Sequence, residues 1–260
     1  MSLGKRLINT GAAAAAAACP TETADIFGDS SGVALYSLDY DASDESGTYD
    51  GTPTNVEFGV GGQINYGARF NGSSSYIALG TNTPLNNYNG EQTISVWIYP
   101  TTAIQQTIIG YRNDSTTKWN TLRLNSNNTL SFLLRSLSYL STPTTVGTVN
   151  LNAWNHVCVT IDSSNITFYI NNGTGEAFSN VAFSNHVSSF TSSEPTDIGR
   201  RGSLSNQYFN GSIDQVRIFT KSLSSNEVST LNAEDACVHT STTDIVNYPT
   251  GTTPVAYYKL

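Results

Sequence analysis

Charged side chains are scarce in this sequence, at 12% of 260 residues, against roughly 25% in ordinary globular domains. Acidic residues outnumber basic ones, 20 to 12, and no run of Lys and Arg is longer than two residues. Nucleic acids and anionic membranes are bound through clustered Lys and Arg, so the composition argues against both as partners. The low charge also excludes a coiled coil and a charge-driven disordered chain.

Long apolar runs are missing as well, and no run reaches the roughly 18 residues of a membrane-spanning helix. The N-terminus has some features of a signal peptide, because Lys5 and Arg6 precede an alanine run that ends at Cys19. Polar residues interrupt its apolar part, however, and alanine alone is barely hydrophobic enough for export. We therefore expect a small-residue arm over residues 1–31, with a lipoprotein signal cleaved before Cys19 as the alternative.

Cysteine is rare, with three residues at positions 19, 158 and 237. Cys158 lies inside an apolar run, Val157 to Ile161, which predicts an inert buried thiol. Cys19 and Cys237 flank the middle of the chain, but the sequence does not give the Cα separation that a disulfide requires. Their pairing stays open.

Aromatic residues and glycine are plentiful, with 14 Tyr, 10 Phe and 21 Gly. Ser, Thr and Asn are frequent in the segments between apolar runs. This composition is typical of many β-strands linked by turns. Thr93 to Tyr99 predicts a strand with Ile94, Val96 and Ile98 on one face. Asn71-Gly72 predicts a hairpin turn. Further strands are predicted at 33–38, 68–70, 75–78, 107–111, 122–124, 130–134, 153–161, 166–170 and 209–219.

One short helix is predicted near the C-terminal end, because Ser224 and Glu227 have the spacing of a capping box. Beyond it, the order of Cys, Asp-Ile, Gly and an aromatic strand that follows Cys19 is repeated after Cys237. We therefore divide the chain into the arm (1–31), a module (32–235) and a linker with the first strand of a second, truncated module (236–260). Alternatively, the apolar strand at 255–260 pairs with a sheet edge of this chain or of a neighbouring subunit.

Several segments together resemble the laminin-G-like modules of the concanavalin A-like lectin/glucanase superfamily, in the order that the family shows. They are Ala68 to Ile77, Thr93 to Pro100, Trp154 to Val157, Phe209 to Phe219, and Leu223-Ser224 ahead of Glu227-Val228. The resemblance implies an all-β fold, a jelly-roll sandwich of two antiparallel sheets with one short C-terminal helix. It also implies that Trp97, Trp154 and His156 are structural rather than catalytic.

Catalysis is not expected from the carboxylates or the histidines. Glycoside hydrolysis requires two carboxylates about 5 to 9.5 Å apart, and the glucanases of the superfamily carry theirs close together on one strand. Here each glutamate stands alone, and His156, His186 and His239 lack metal-ligand spacing. No nucleophile elbow is present. We therefore predict that the protein is not an enzyme, and a glycan-active hydrolase is the least favoured hypothesis.

A glycan platform is the favoured site, because sugars stack on aromatic rings and bond to amide, carboxylate and guanidinium groups. Trp119 and the tyrosines also have a structural interpretation, as packed or edge-covering residues. The candidate ligand-binding residues are Tyr111, Arg112, Asn113, Asp114, Trp119, Arg200, Arg201 and Tyr208.

An acidic, Gly- and Ser-rich loop over residues 39–53 offers hard oxygen ligands, which suit Ca²⁺. The family resemblance implies a structural calcium between this loop and the acid of the Gly-x-Ile-Asp strand. The candidate ligands are Asp39, Asp44 and Asp214. A solvated acidic loop without a metal is the alternative.

The N-terminal segment resembles the start of repeated laminin-G-like proteins of marine bacteriophages. The leading hypothesis is therefore a non-enzymatic virion surface protein, a fibre, appendage or capsid decoration, whose module adheres to glycans or the host surface. Its arm would contact other virion proteins, and we expect a homo-oligomer, trimers being common for fibres. The alternative is a secreted or lipid-anchored bacterial adhesin.

Overall fold

The computed structural model describes residues 23–113, 118–136, 139–141, 144–171, 175–179, 190–202 and 206–234. They form eighteen strands and one helix. The strands are β1 Gly32–Tyr36, β2 Thr52–Thr54, β3 Glu57–Gly61, β4 Tyr66–Asn71, β5 Tyr76–Gly80, β6 Asn87–Tyr88, β7 Gln92–Pro100, β8 Gln106–Asn113, β9 Lys118–Leu124, β10 Thr129–Ser136, β11 Tyr139–Ser141, β12 Thr144–Thr148, β13 Asn155–Ile161, β14 Asn165–Ile170, β15 Glu176–Ser179, β16 Phe190–Thr191, β17 Thr196–Ile198 and β18 Asn210–Phe219. Helix α1 is Ser225–Asn232.

Two antiparallel sheets account for most of these strands, which confirms the predicted fold class. The first sheet has the order β15-β14-β13-β7-β18-β4-β3, and β1 also pairs with β18. The second sheet has the order β11-β10-β9-β8-β17-β5-β2, and β12 pairs with β10. Neighbours distant in sequence, such as β7 and β18, are adjacent in space, as a jelly roll requires.

The main core lies between the inner faces of the two sheets. On β13, Val157, Val159 and Ile161 point into it, opposite Ile166 and Phe168 of β14. All of β13 is buried, however, because its other face is covered too.

Helix α1 provides that cover. Val228 and Leu231 of the helix pack with Cys158 and Phe219 in a smaller cluster on the outer side of the first sheet. Cys158 is a free, buried thiol, as predicted. The predicted capping box is present: the backbone N–H of Glu227 donates to the Ser224 hydroxyl, and the Ser224 N–H donates to the Glu227 carboxylate.

Strand β18 pairs along one edge with two different strands. Its first half, to Ile213, pairs with β4, and its second half, from Val216, pairs with β1. Between them, at Asp214, the register with β7 shifts and Gln215 adopts a positive φ of 49°. The loop that leaves β1 and the turn that enters β4 therefore meet at Asp214.

Residues 23–31, which the sequence assigned to the arm, pack on the module instead. Ala24 is buried, and the Thr23 carbonyl accepts a hydrogen bond from Arg217. The same guanidinium pairs with Glu234 at 3.0 Å, so it holds both ends of the described chain. Cys19, Cys237 and residues 236–260 lie outside the described ranges.

Candidate functional site

Two of the predicted ligand residues, Trp119 and Arg200, lie on the outer face of the second sheet, the face turned away from the first sheet. On β9, Leu122 and Leu124 point into the core, so Trp119 and Arg123 point outward by alternation. Trp119 pairs with Arg135 of β10 on one side and with Arg112 of β8 on the other. The Arg135 guanidinium lies over the Trp119 ring, 4.7 Å from its centroid.

A second arginine–aromatic pair lies on the same face, at the end of β17. The Arg200 guanidinium lies 3.3 Å from the centroid of the Tyr76 ring. Its Nε donates to Oδ2 of Asp197, and Tyr208 also hydrogen-bonds to it. Because three contacts fix one guanidinium, its position and orientation are defined. We call Tyr76, Trp119, Arg135, Asp197 and Arg200 together the arginine–aromatic face.

Burial perturbs the ionisation of the ion pair in this face. It raises the pKa of Asp197, and the hydrogen bond and charge of Arg200 limit that rise. Burial by itself lowers the pKa of Arg200, but its hydrogen bonds with Asp197 and Tyr208 outweigh this and raise it. The side chain of Asp197 is 1% exposed and that of Arg200 is 16% exposed. Arg200 is therefore the partner that reaches the surface.

Between the two pairs the sheet carries little side-chain bulk. Gly110 pairs with Asp197 on one strand and with Thr121 on the other. A Cβ on Gly110 would lie 2.1 Å from the Asn120 carbonyl oxygen, and its φ is +132°. Glycine is therefore required at this point, and position 110 places no side chain between Asp197 and Thr121.

The remaining predicted ligand residues are distributed differently. Tyr111 is fully buried in the main core, where its ring is not accessible. Arg112 and Asn113 end β8, and Asp114 lies outside the described ranges. The backbone N–H of Arg201, a partly exposed residue, donates to the Asn206 carbonyl.

Three members of the arginine–aromatic face were missed from the sequence: Tyr76, Arg135 and Asp197. Tyr76 read only as part of a hairpin, and Arg135 lies just beyond the predicted strand 130–134. Asp197 is three residues before Arg200, a spacing that predicts a side-chain contact in a helix but not in a strand or loop. Strand register brings them together, and the sequence does not provide it.

The acidic loop and β18 meet at a second polar site. Oδ2 of Asp214 accepts hydrogen bonds from the backbone N–H groups of Gln63 and Ile64, at 2.8 and 2.9 Å. Its Oδ1 is buried and has no hydrogen-bond partner among the described residues. Burial, and secondarily the negative charge of Asp39, raise the pKa of Asp214 to about 8 against the opposing backbone hydrogen bonds.

Asp44 is used differently from the other two predicted metal ligands. Its carboxylate accepts hydrogen bonds from the backbone N–H groups of Leu35, Ser46, Thr48 and Tyr49, and it thereby closes its own loop against β1. Within the described ranges, no group of three or more His, Cys, Asp or Glu side chains is arranged to hold a metal ion. Asp39 and Asp214 are near each other, whereas Asp44 has a structural role.

No helix in the described part of the chain combines the length and apolar character needed to cross a membrane.

Solved structures with the same fold include two kinds of domain. Domain 4 of AbnA, a GH43 extracellular arabinanase from Geobacillus stearothermophilus, in complex with arabinotriose, is 23% identical, with a TM-score of 0.61 over 76% of this chain and 97% of that chain. The binding domain of Paraclostridial Mosquitocidal Protein 1 is 20% identical, with a TM-score of 0.59 over 73% and 48%. A botulinum neurotoxin type C structure, described for its interaction with two ganglioside molecules, is 16% identical, with a TM-score of 0.56 over 78% and 50%. This chain thus spans about half the length of the two toxin structures.

No curated protein matches the sequence. The family model described as Concanavalin A-like lectin/glucanases superfamily, of the laminin-G type, matches residues 71–229. That range is more than half of the chain, lies inside the predicted module 32–235, and includes β5 to β18 with most of α1. The chain therefore belongs to the laminin-G-like family of the concanavalin A-like lectin/glucanases superfamily.

Proposed function

We propose that this protein is a non-enzymatic adhesion protein that binds glycans through the arginine–aromatic face. The observation that carries the proposal is the Arg200 guanidinium, which is held on the Tyr76 ring and bonded to Asp197 at a partly exposed position. The Arg135–Trp119 pair repeats the arrangement on the same face.

The chemistry of this face favours polar recognition. In both pairs a guanidinium covers the ring face that a sugar would otherwise stack on. Planar guanidinium groups held by ring contacts present N–H forks, which match carboxylates and adjacent sugar hydroxyls. The proposed ligand is therefore bound mainly by hydrogen bonds, with the rings fixing the donors.

The names of the structural neighbours support a binding role. The arabinanase domain was solved with arabinotriose bound, and the botulinum neurotoxin type C structure is described by its interaction with gangliosides. Both ligands are carbohydrates or carry them. At identities of 16 to 23% the likeness is one of fold, so the carbohydrate ligand is our proposal for this chain.

The proposed protein is not an enzyme, and the interactions of its buried carboxylates support this. Asp197 is engaged by Arg200, and Asp214 binds the turn between β3 and β4.

A structural Ca²⁺ at Asp214 and Asp39 belongs to the same proposal. Oδ1 of Asp214 is a buried oxygen without a hydrogen-bond partner among the described residues, and hard oxygen ligands suit this ion. A cation there would neutralise the repulsion between Asp39 and Asp214 and stabilise the junction of β1 and β4.

We place the protein on a bacteriophage particle, with its arm toward other virion proteins, because its N-terminal segment resembles phage proteins. Mass spectrometry of the natural chain tests this setting. A chain that keeps Met1 or Ser2 and copurifies with particles supports it, whereas cleavage before Cys19 favours the bacterial adhesin.

Glycan binding itself is tested by probing an immobilised glycan array with the wild-type chain and two variants. Arg200→Ala removes the central guanidinium and should lower the array signal about tenfold. Arg69→Ala is the matched control, since Arg69 is exposed on the first sheet and pairs with Glu57. Equal signals for all three proteins, or none from the wild type, would count against the proposal.

A further inference from the structure

Two exposed tyrosines form a contact on the surface, far in sequence from the predicted glycan-binding residues. Among the described residues only three large hydrophobic side chains are exposed: Tyr40 at 70%, Tyr66 at 43% and Ile104 at 45%. Tyr40 and Tyr66 touch, with ring centroids 5.2 Å apart and planes tilted by 48°. We call them the tyrosine pair. Single exposed apolar residues are ordinary, but two in contact form a platform.

The fold holds both tyrosines in place. Tyr40 follows Leu38, which has a positive φ of 61° and is fully buried, so the chain turns outward directly after it. Asp39 then ties the two segments together: its carbonyl accepts from Gly59 N–H at 2.8 Å, and its carboxylate accepts from Tyr66 N–H at 3.2 Å.

The turn before Tyr66 is anchored separately, by the two backbone hydrogen bonds from Gln63 and Ile64 to Asp214. The tyrosine pair is therefore presented by two turns that are both attached to the β1–β18–β4 junction. A platform that is already ordered loses little entropy when a ligand binds.

We propose that the tyrosine pair is a second carbohydrate-binding site, for neutral pyranose units of a polysaccharide. Exposed aromatic rings offer their faces to the C–H side of a sugar ring, and phenol groups add hydrogen bonds. Unlike the rings of the arginine–aromatic face, these two are not covered by a guanidinium among the described residues.

The charge around the pair selects the class of sugar. Asp39 directly precedes Tyr40 and its carboxylate accepts from the backbone N–H of Tyr66, and Asp41 is exposed one residue after Tyr40. The nearest described cation in sequence, Arg69, is paired with Glu57. Uronic or sulfated sugars would be repelled here, so the ligand is a neutral sugar.

The size of the platform argues against a protein partner. Stable protein interfaces bury at least about 1,000 Å² in total, and two tyrosines among polar loop residues offer much less apolar surface. A single sugar or two adjacent sugars fit this scale. The site goes beyond the proposed function, because it lies at the β1–β4 junction and shares no residue with the arginine–aromatic face.

Affinity electrophoresis tests the proposal. The native chain is run in gels that contain neutral polysaccharides (galactan, arabinan, xylan or β-glucan) or acidic ones (alginate or carrageenan), all with a chelator present. We expect at least one neutral polysaccharide to retard the wild type, and Tyr40→Ala and Tyr66→Ala each to weaken that binding by about tenfold. Tyr66→Phe keeps the ring and should retain most of it.

Ile104→Ala is the matched control, because it removes a comparably exposed apolar side chain elsewhere. Thermal melts verify folding, since truncation of exposed side chains should leave the melting temperature nearly unchanged. Arg200→Ala separates the two sites: retardation lost only in that variant would overturn this inference and support the proposed function. Retardation lost only in the tyrosine variants would support this inference, and the glycan array would still test the proposed function separately.

Two further results would also overturn the inference. One is a wild type that no neutral polysaccharide retards. The other is concentration-dependent self-association, seen by sedimentation, that the tyrosine variants abolish while polysaccharide binding is unchanged.

Discussion

The Arg200 guanidinium lies over the Tyr76 ring, 3.3 Å from the ring centroid. Tyr76 begins β5 and Arg200 follows β17, so the pairing of these two strands sets where the guanidinium stands. Asp197, on β17, holds the same group through Nε. Two residues of the sheet, Tyr76 and Asp197, therefore set the position of the guanidinium.

Removal of the Tyr76 ring should weaken glycan binding without removing any hydrogen-bond donor of Arg200. A cation–π contact of this kind contributes about 1 kcal/mol, which corresponds to about fivefold in affinity. Tyr76→Ala should show this loss by titration calorimetry with an array-positive oligosaccharide, whereas Tyr76→Phe should not. Equal affinity for Tyr76→Ala and the wild type would mean that the ring does not position Arg200.

Asp214 should make the metal-free protein less stable as pH rises. The pKa of Asp214 is about 8 in the folded chain, against 3.8 for an unperturbed carboxyl. Between about pH 4 and pH 8 the folded chain holds a proton that the unfolded chain has lost, so the free energy of unfolding falls with rising pH, by up to about 1.4 kcal/mol per pH unit.

Asp214→Asn removes this slope, and chemical denaturation in the presence of a chelator measures it. Added Ca²⁺ should raise the melting temperature of the wild type at pH 8 and leave the Asn variant unchanged. Parallel pH profiles for the two proteins would contradict the buried carboxyl, and an absent calcium effect would contradict the ion alone.

His156 should have the opposite effect and make the protein less stable as pH falls. The ring is buried, Nε2 lies 2.8 Å from the Ser95 hydroxyl, and burial lowers the pKa to about 3 from 6.5. Below pH 6.5 the unfolded chain takes up a proton that the folded chain refuses, so stability is lost as pH falls toward about 3.

His156→Gln should flatten this part of the profile. As pH falls, protonation of Asp214 stabilises the folded wild type while His156 destabilises it. The two effects therefore partly cancel between about pH 4 and 6.5. The difference between wild type and variant isolates His156. A variant that loses stability toward acid as steeply as the wild type would show that His156 does not titrate in this way.

The helix cap should contribute measurably to stability. Ser224→Ala removes the acceptor for Glu227 N–H and should cost about 1 kcal/mol, or about 2 to 4 °C in melting temperature for a chain of this size. Ser225→Ala, one residue later and also exposed, is the control. Equal melting temperatures for the two variants would show that the cap does not stabilise the packing of α1 on Cys158.

The sequence predicted the longer strands and the capping box because their signals are local. β7 has apolar residues at every second position from Ile94 to Ile98, β13 contains an apolar run from Val157 to Ile161, and the cap depends on a three-residue spacing. Strands such as β2, β16 and β17 have two or three residues, too few for any alternation. Their pairing is decided by the neighbouring strands.

The site was harder to predict than the fold for the same reason. Arg200, Tyr208 and Trp119 were recognised by residue type, but their partners Asp197, Tyr76 and Arg135 lie on three other elements or turns. Tyr111 has the same chemistry as Tyr76, yet the alternation of β8 buries it. Which face a residue occupies depends on strand register, and register depends on the whole sheet.

Two-dimensional ¹H–¹⁵N NMR of the indole groups tests the central claim most directly. The chain has three tryptophans: Trp119 lies on the arginine–aromatic face, Trp97 on β7 near His156, and Trp154 against Tyr99. Titration with an array-positive oligosaccharide should shift the Trp119 indole signal and leave those of Trp97 and Trp154 in place. A shift of either of the latter signals with Trp119 unchanged, or no shift of any of them, would contradict glycan binding at this face.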